Sequence, residues 1–166
     1  KVQAMRVRLL ADMGGYQQLI TAGIPILGAF LYGGVYQLPQ AYDFSCTGLY
    51  TNLTPTDAYR GAGRPEATYA IERAMDMLAD QMGLDPMELR KRNFIEKDQF
   101  PYTAFTGLTY DSGDHHAAAD KAAEMADYAG VRERQKTQNI DVGHGEKRST
   151  KHSVRSHKSQ PRKRLW

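Results

Sequence analysis

Cysteine is nearly absent from this sequence, and its scarcity excludes several classes of site. Cys46 is the only cysteine among the 166 residues, so the chain alone forms neither a disulfide bond nor a multi-cysteine metal site. An iron–sulfur cluster would need thiolates from another chain. A lone cysteine is typical of proteins in a reducing compartment, and we predict a cytoplasmic location.

The sequence also lacks an apolar run long enough to cross a membrane. The most apolar segment extends from Leu19 to Phe30, whereas about 20 apolar residues are needed to span a bilayer. Residues that weaken a continuous apolar helix interrupt this segment at Thr21, Gly23, Pro25 and Gly28. We predict a buried helix over residues 19–32 that is broken near Pro25 and closed by the Gly33-Gly34 pair.

Acidic residues are scarce at the end of the chain, where basic residues dominate. Residues 136–166 carry nine Lys and Arg side chains against Asp141 and Glu146, a net charge of +7. The other 135 residues carry 13 basic and 17 acidic side chains, a net charge of −4. The tail also has too few large apolar residues to offset the conformational entropy lost on folding. We therefore predict a folded region over residues 1–135 and a basic tail, disordered or of aberrant origin, over residues 136–166.

Apolar periodicity predicts an α+β fold for the first region. Residues 2–10 alternate between apolar and polar side chains, as in a strand, and residues 12–15 supply the turn that ends it. Residues 42–52 mix aromatic and β-favouring side chains and predict a second strand.

Three helices are predicted in the second half of this region. From residue 65 to 82 apolar side chains recur at three- and four-residue steps, and Gly83 is a favourable helix end. The predicted apolar stripe comprises Ala67, Ile71, Met75, Leu78 and Met82. Residues 85–93 begin with an N-cap aspartate and a proline, which predicts a short helix. Asp114 is a cap for an alanine-rich helix that we expect to reach about Tyr128.

The loop before the first of these helices is the strongest candidate for a ligand site. This Arg-Gly loop comprises Tyr59, Arg60, Gly61, Ala62, Gly63 and Arg64. Its two glycines permit positive φ and close approach of the backbone to a ligand. Its two arginines supply positive charge beside the free N–H groups that open the helix. The loop predicts a seat for an anion or cofactor; the alternative is that both arginines cap carbonyls or pair with carboxylates.

Several ordered motifs resemble those of one enzyme family. The string AYRGAGRPEA, Ala58 to Ala67, is followed by IER and then by GLDPMELRKRN, which ends at Asn93. ADMGGY precedes these motifs, and FPY, Gly107 and YDSGD follow them. Together they resemble the molybdopterin-binding large subunit of the xanthine oxidase family, and especially carbon monoxide dehydrogenase large chains of the form II type. The resemblance extends over roughly residues 1–135.

The resemblance implies a cofactor and partner subunits. In this family a molybdenum atom held by a pterin dithiolene, usually extended in bacteria to a cytosine dinucleotide, hydroxylates a carbon centre with water as the oxygen source. Electrons pass to an iron–sulfur subunit and a flavin subunit, and the implied assembly is a dimer of heterotrimers. The Arg-Gly loop would lie beside the metal, with Arg60 positioning the cofactor or substrate. The family's large subunit is several times longer, so we expect this chain to be an internal piece.

Two loop residues depart from better-known members of the family. In copper-containing carbon monoxide dehydrogenases a cysteine, whose thiolate holds copper, occupies the place of Gly61. Glycine has no side chain, so the resemblance does not extend to molybdenum–copper chemistry. Ala62 stands where several purine- and aldehyde-oxidising members have an aromatic residue, which disfavours a stacked purine substrate.

No residue of this chain is assigned a catalytic or metal-binding role. The family's catalytic glutamate and the segments that hold the molybdenum ligands belong to other parts of the subunit, so we predict that the chain is inactive alone. Glu66 and Glu72 are expected to lie in a helix without a catalytic role, and Glu72 with Arg73 is expected to be a solvated or helix-pairing charge. Because the adjacent His115 and His116 would point about 100° apart on a helix, they do not favour a metal site.

The alternative interpretation is a non-catalytic protein with a basic tail. The +7 charge of residues 136–166 would bind nucleic acid or an anionic membrane surface. Binding that falls steeply with added salt, and that is lost on truncation after Gln135, would favour this alternative.

Overall fold

The chain opens with a parallel strand pair joined through a helix. The computed structural model describes residues 1–38 and 41–138. Its first elements are β1 (Ala4–Asp12), α1 (Gly23–Leu31) and β2 (Ala41–Leu49). β1 and β2 pair in parallel along their whole length, from Ala4 opposite Ala41 to Asp12 opposite Leu49. Parallel neighbours need a crossover connection, and α1 lies in that connection. Both predicted strands are confirmed.

A long helix follows the Arg-Gly loop, as predicted. This helix, α2 (Arg64–Met82), begins after Gly63 and ends at Gly83, and both glycines have positive φ. The N–H of Gly83 donates to the carbonyls of Ala79 and Asp80, which closes the last turn.

A short helix, α3 (Pro86–Lys91), comes next. The Asp85 carboxylate accepts hydrogen bonds from the N–H groups of Met87 and Glu88, which confirms the predicted cap. The helix ends at Lys91, slightly before the predicted end at Asn93.

The remaining elements are a short hairpin and two helices. The hairpin consists of β3 (Tyr102–Thr103) and β4 (Thr109–Tyr110), which pair antiparallel. Next come α4 (His115–Met125) and α5 (Tyr128–Gln138). Asp114 caps α4 by accepting a hydrogen bond from the Ala117 N–H at 2.9 Å. The alanine-rich helix predicted to reach Tyr128 stops at Met125, because Asp127 adopts a φ of 47° that a helix does not accommodate.

The core of the molecule lies along one face of α2. The buried cluster comprises Tyr36, Leu38, Ile71, Met75, Ala79, Leu89 and Phe94. The predicted stripe is correct for Ala67, Ile71 and Met75, and Leu78 is partly buried. Met82 is wrongly included, since it is 56% exposed and the inward face ends at Ala79.

The predicted helix over residues 19–32 needs two corrections. α1 begins at Gly23, so Pro25 falls in its first turn, where a missing N–H breaks no intrahelical bond. The helix is therefore not broken there. It is also not buried: Gly28 alone of its nine residues is buried, and Ile26 and Phe30 are about half exposed.

The chain forms two compact units, Lys1–Met125 and a second that begins at Ala126. α5 lies in the second unit and continues through Gln138, past the boundary predicted after Gln135. That boundary stays a prediction, and the predicted disorder of the tail falls, from residue 139 on, outside the described residues. Within the described ranges, no helix combines the length and apolar character needed to cross a membrane.

Candidate functional site

The Arg-Gly loop consists of two successive turns that lead into α2. The Ala62 N–H donates to the Tyr59 carbonyl, and the Arg64 N–H donates to the Gly61 carbonyl, each at 2.9 Å. Gly61 and Gly63 have φ values of 88° and 83°, which are the positive values expected from the sequence. The backbone path therefore depends on both glycines.

Both arginine side chains of the loop are exposed. In the described part of the chain, neither the Arg60 nor the Arg64 guanidinium has a hydrogen bond or ion pair to another residue. The backbone N–H groups of Gly61 and Gly63 likewise have no acceptor there. Burial raises the pKa of Tyr110, and the nearby charge of Arg64 opposes that shift. The loop thus presents donors and positive charge without an internal counterion.

The two glycines of the loop have different surroundings. No atom lies within 4 Å of the position that a Cβ would take at Gly61. At Gly63 a Cβ would stand 2.8 Å from the Ile24 carbonyl oxygen and 3.0 Å from the Gly28 nitrogen. Gly63 is buried against α1, whereas Gly61 and the 87% exposed Tyr59 face outward. Ala62 is partly buried.

The contacts that Thr21 and α1 make around the loop were not expected from the sequence. The sequence pattern presents Thr21 and Gly28 only as interruptions of an apolar segment. In the structure the Thr21 hydroxyl donates to the Thr56 carbonyl at 2.6 Å, just before the loop, and Gly28 packs against Gly63. The only signal available was the position of a polar and a small residue within an otherwise apolar stretch.

A cavity of about 400 Å³ is lined mainly by residues at the end of β1 and the start of α1. Of the loop residues only Gly63 lines it, and neither Arg60 nor Arg64 does. Its charged lining residues are Asp12, Asp57 and Glu66. An anion would be repelled by these carboxylates, so the exposed side of the loop is the better anion site despite the size of the cavity.

Asp12 joins the strand ends at one edge of this cavity. Its Oδ1 accepts a hydrogen bond from the Thr51 hydroxyl at 2.7 Å and another from the Gly14 N–H at 2.9 Å. These bonds lower the pKa of the Asp12 carboxyl below its usual range. The Asp12 carboxylate therefore stabilises the local backbone through these hydrogen bonds.

Glu72 belongs to a polar network between α2 and α3. Its carboxylate accepts a hydrogen bond from the Tyr36 hydroxyl and pairs with the Arg90 Nε at 2.8 Å. Arg90 also pairs with Asp76 at 2.8 Å. Burial and the charge of Glu72 raise the pKa of Tyr36. The sequence places Glu72 beside Arg73 as a solvated or helix-pairing charge; in the structure its partners are Arg90, on the next helix, and Tyr36.

The two adjacent histidines lie against aromatic rings. The His115 ring contacts Phe100 with centroids 5.6 Å apart, and burial lowers the pKa of His115. The Nε2 of His116 lies 3.2 Å from a carboxylate oxygen of Glu96. Within the described ranges no group of three or more potential metal ligands comes together.

A family comparison decides the membership of this chain. The family described as "Molybdopterin cofactor-binding domain" matches residues 1–94, which include the Arg-Gly loop and α3. This chain belongs to that family. Its domain binds the molybdopterin cofactor.

Individual members of the family agree with this assignment. The carbon monoxide dehydrogenase large chain of Hydrogenophaga pseudoflava is 40% identical over 144 residues, which cover 85% of this chain and 18% of that relative. The solved structure of reconstituted CO dehydrogenase from Oligotropha carboxidovorans is 37% identical with a TM-score of 0.72, covering 82% of this chain and 17% of that one. Quinoline 2-oxidoreductase from Pseudomonas putida 86 is 32% identical with a TM-score of 0.75, covering 82% and 18%.

The family resemblance and the α+β fold expected from the sequence are thereby confirmed. The names of these relatives refer to different substrates, carbon monoxide and quinoline. The chain also spans less than a fifth of the length of the relatives described.

Proposed function

We propose that this chain forms one wall of the molybdopterin site in the large subunit of a molybdenum-dependent hydroxylase, and that it is inactive alone. The observation that carries this proposal is the pair of unpaired arginines in the Arg-Gly loop. Arg60 and Arg64 have no counterion in the described part of the chain. Uncompensated guanidinium groups beside free backbone N–H groups favour an anionic ligand.

The family's cofactor fits this set of donors. Guanidinium and N–H groups only donate hydrogen bonds, and the phosphate and pterin oxygens of the cofactor accept them. We assign the cofactor contacts to the Arg-Gly loop, Tyr59 to Arg64, with Arg60 and the Gly61 N–H as the principal donors. When bound, the cofactor supplies the redox centre that hydroxylates a carbon substrate. The residues of this chain hold and orient it.

The dinucleotide form and the partners of the enzyme are also proposals. We propose molybdenum cytosine dinucleotide, the form that the family resemblance implies for bacteria. We further propose an iron–sulfur subunit, a flavin subunit and assembly as a dimer of heterotrimers. A cytoplasmic location remains a prediction from the single cysteine.

Gly61 makes the proposed chemistry more specific. Space for a side chain exists at this position, but glycine offers no thiolate to a metal. We therefore propose a molybdenum site without copper at this position, although CO dehydrogenase of a Cu,Mo type is among the similar structures. Metal analysis of the purified complex should find molybdenum without stoichiometric copper.

The test of the cofactor assignment compares two arginines of the intact complex. Loss of a charge-assisted hydrogen bond costs about 1.5–3 kcal/mol, so Arg60→Ala should weaken cofactor retention at least about tenfold. Arg73→Ala is the matched control, because Arg73 is exposed on α2 outside the loop. The measurements are molybdenum per large subunit and cytidine nucleotide released by acid. Equal molybdenum contents in the two variants would contradict the assignment.

Truncation after Gln135 separates this proposal from the basic-tail alternative. Cofactor retention should survive the truncation, whereas salt-sensitive binding to nucleic acid or anionic vesicles should disappear. The alternative rests on tail residues that, from residue 139 on, lie outside the described residues, and it stays a prediction.

A further inference from the structure

One short segment, residues 20–28, contacts the chain just before the Arg-Gly loop and again near the end of the loop. Before the loop, the Thr21 hydroxyl donates to the Thr56 carbonyl at 2.6 Å, and the Ile20 N–H donates to Oδ1 of Asp57 at 3.2 Å. Near the end of the loop, Gly63 lies against the backbone of α1 at Gly28. Arg60 lies between these two points of attachment.

We propose that Thr21 is a positioning residue that fixes the entry to the Arg-Gly loop and thereby places Arg60 for its anionic ligand. The assignment of that ligand as molybdopterin rests on the proposed function. Thr21 is 1% exposed, and its hydroxyl also accepts a hydrogen bond from the Gln18 N–H at 2.9 Å. A buried hydroxyl that both donates and accepts has its orientation fixed by its partners.

The need for such a residue follows from the isolation of Arg60. No described residue holds the Arg60 side chain, so its starting position is determined by the loop backbone alone. The backbone N–H groups of Gly61 and Gly63 also have no acceptor among the described residues. A ligand contact requires donors placed to within a fraction of an ångström, and misplacement by about 1 Å costs up to about a hundredfold in function.

The far end of the loop is held by packing rather than by a hydrogen bond. A Cβ on Gly63 would stand 2.8 Å from the Ile24 carbonyl oxygen, so the two backbones are already in contact. Gly28 is the buried residue of α1 and faces the Gly63 carbonyl. Close packing therefore limits movement of the loop toward α1 at Gly63. At the start of the loop, the hydrogen bond from Thr21 to Thr56 has the corresponding role.

Trypsin provides a direct measure of loop order in the full chain. It cuts after Arg60, whereas Pro65 protects the bond after Arg64. Exposed segments are cut in proportion to their local opening. We expect Thr21→Val, which keeps the volume of the side chain but removes the hydroxyl, to increase cleavage after Arg60 about five- to tenfold. Thr21→Ser keeps the hydroxyl and should cleave at the wild-type rate.

Cleavage after Arg73 within α2 reports general unfolding and serves as the internal reference. An unchanged Arg60 rate in Thr21→Val would overturn the proposal, as would equal increases at Arg60 and Arg73. If Thr21→Val does not fold, Asp57→Ala decides the matter, because it removes the neighbouring bond from an exposed position. A selective increase after Arg60 would support the proposal, and no increase would overturn it.

The intact complex provides the second measurement. Thr21→Val should lower the molybdenum content relative to wild type, and Thr21→Ser should restore it. Wild-type protein that contains no molybdenum would refute the proposed function, yet the trypsin comparison would still decide the role of Thr21. Normal molybdenum content in a folded Thr21→Val variant would refute the positioning role toward the cofactor.

Discussion

Arg90 and Arg60 carry the same functional group in opposite surroundings. Arg90 is 17% exposed and pairs with Glu72 and Asp76, each at 2.8 Å. Burial alone would lower the pKa of Arg90, but the hydrogen bonds that its guanidinium donates to these carboxylates outweigh burial and raise that pKa. Arg60 is exposed and has no such partner in the described part of the chain. Charge that stabilises the fold is compensated internally, whereas charge in the loop is left available to a ligand.

The apolar residues of the same two regions differ in a parallel way. In the α2–α3 region, comprising α2, α3 and Phe94, Met75 is 2% exposed. In the loop region, comprising the Arg-Gly loop, residues 19–31 and the strand ends, Leu19 is 97% exposed and Leu10 is 72% exposed. The first region contains its own core. The second has apolar surface that no described residue covers, which is typical of an interface.

The largest expected effect is on the core of the α2–α3 region. Replacing Met75 by Ala removes a fully buried side chain and should lower the free energy of unfolding by about 3.5 kcal/mol. Met77→Ala is the matched control, because Met77 is 51% exposed; its effect should stay within about 0.5 kcal/mol. Urea denaturation of the full chain measures both. Equal effects would mean that this region is not the core.

Arg90→Ala tests whether the ion-paired guanidinium of Arg90 stabilises the fold. It removes the guanidinium that the Glu72 and Asp76 carboxylates share, while the Tyr36 hydroxyl keeps its hydrogen bond to Glu72. We expect a loss of about 3 kcal/mol, at the low end for a broken buried pair because Glu72 is partly exposed.

Arg92→Ala is the control for Arg90→Ala. Arg92 pairs with Glu88 on the surface, with both side chains about half exposed. Its loss should cost at most about 0.5 kcal/mol in the same denaturation experiment. A comparable loss in the two variants would remove the distinction between compensated and surface charge.

Gly63→Ala examines the junction of the two regions. Both loop glycines have positive φ, so Gly61→Ala should cost about 1 kcal/mol from backbone strain alone. Gly63→Ala adds a clash with the Ile24 carbonyl oxygen and should cost about 2 kcal/mol. Thermal unfolding of the two variants measures the difference. If Gly61→Ala were the more damaging change, the packing of α1 against the loop would be wrong.

The smallest expected effect is a pH dependence at the edge of the α2–α3 region. Burial lowers the pKa of His115, so the unfolded chain binds its proton more readily than the folded chain. The stability contribution is full above the unfolded pKa of about 6.5 and decreases as pH falls toward the folded-state pKa. His115→Phe keeps an aromatic ring beside Phe100 and should reduce this decrease between about pH 7 and pH 5. Identical pH profiles for the variant and wild type would contradict the assignment.

Local patterns were sufficient to predict much of the fold. The Asp85 cap, the Gly83 end and the apolar spacing of α2 depend on residues that are close in sequence. The positive φ of Gly61 and Gly63 follows from the same kind of reasoning. The candidate loop was likewise visible as an arginine and glycine motif before a helix.

The main omissions depend on contacts between distant residues. The sequence does not indicate that Thr21 bonds to Thr56 or that Glu72 pairs with Arg90, because each partner lies many residues away. The apolar residues of α1 predicted burial, but no described part of the chain covers Ile26 and Phe30 completely. Periodicity identifies an apolar face, but the surface that covers this face depends on tertiary contacts.

The parallel pair β1 and β2 has a kinetic consequence. Each strand has one ladder neighbour among the described residues, so each presents an outer edge of unsatisfied backbone groups. Such edges recruit strands from other molecules, and an uncovered parallel sheet is a template for aggregation. Until another surface covers these edges, this segment is open to misassociation, so its yield in the cell should depend on chaperones.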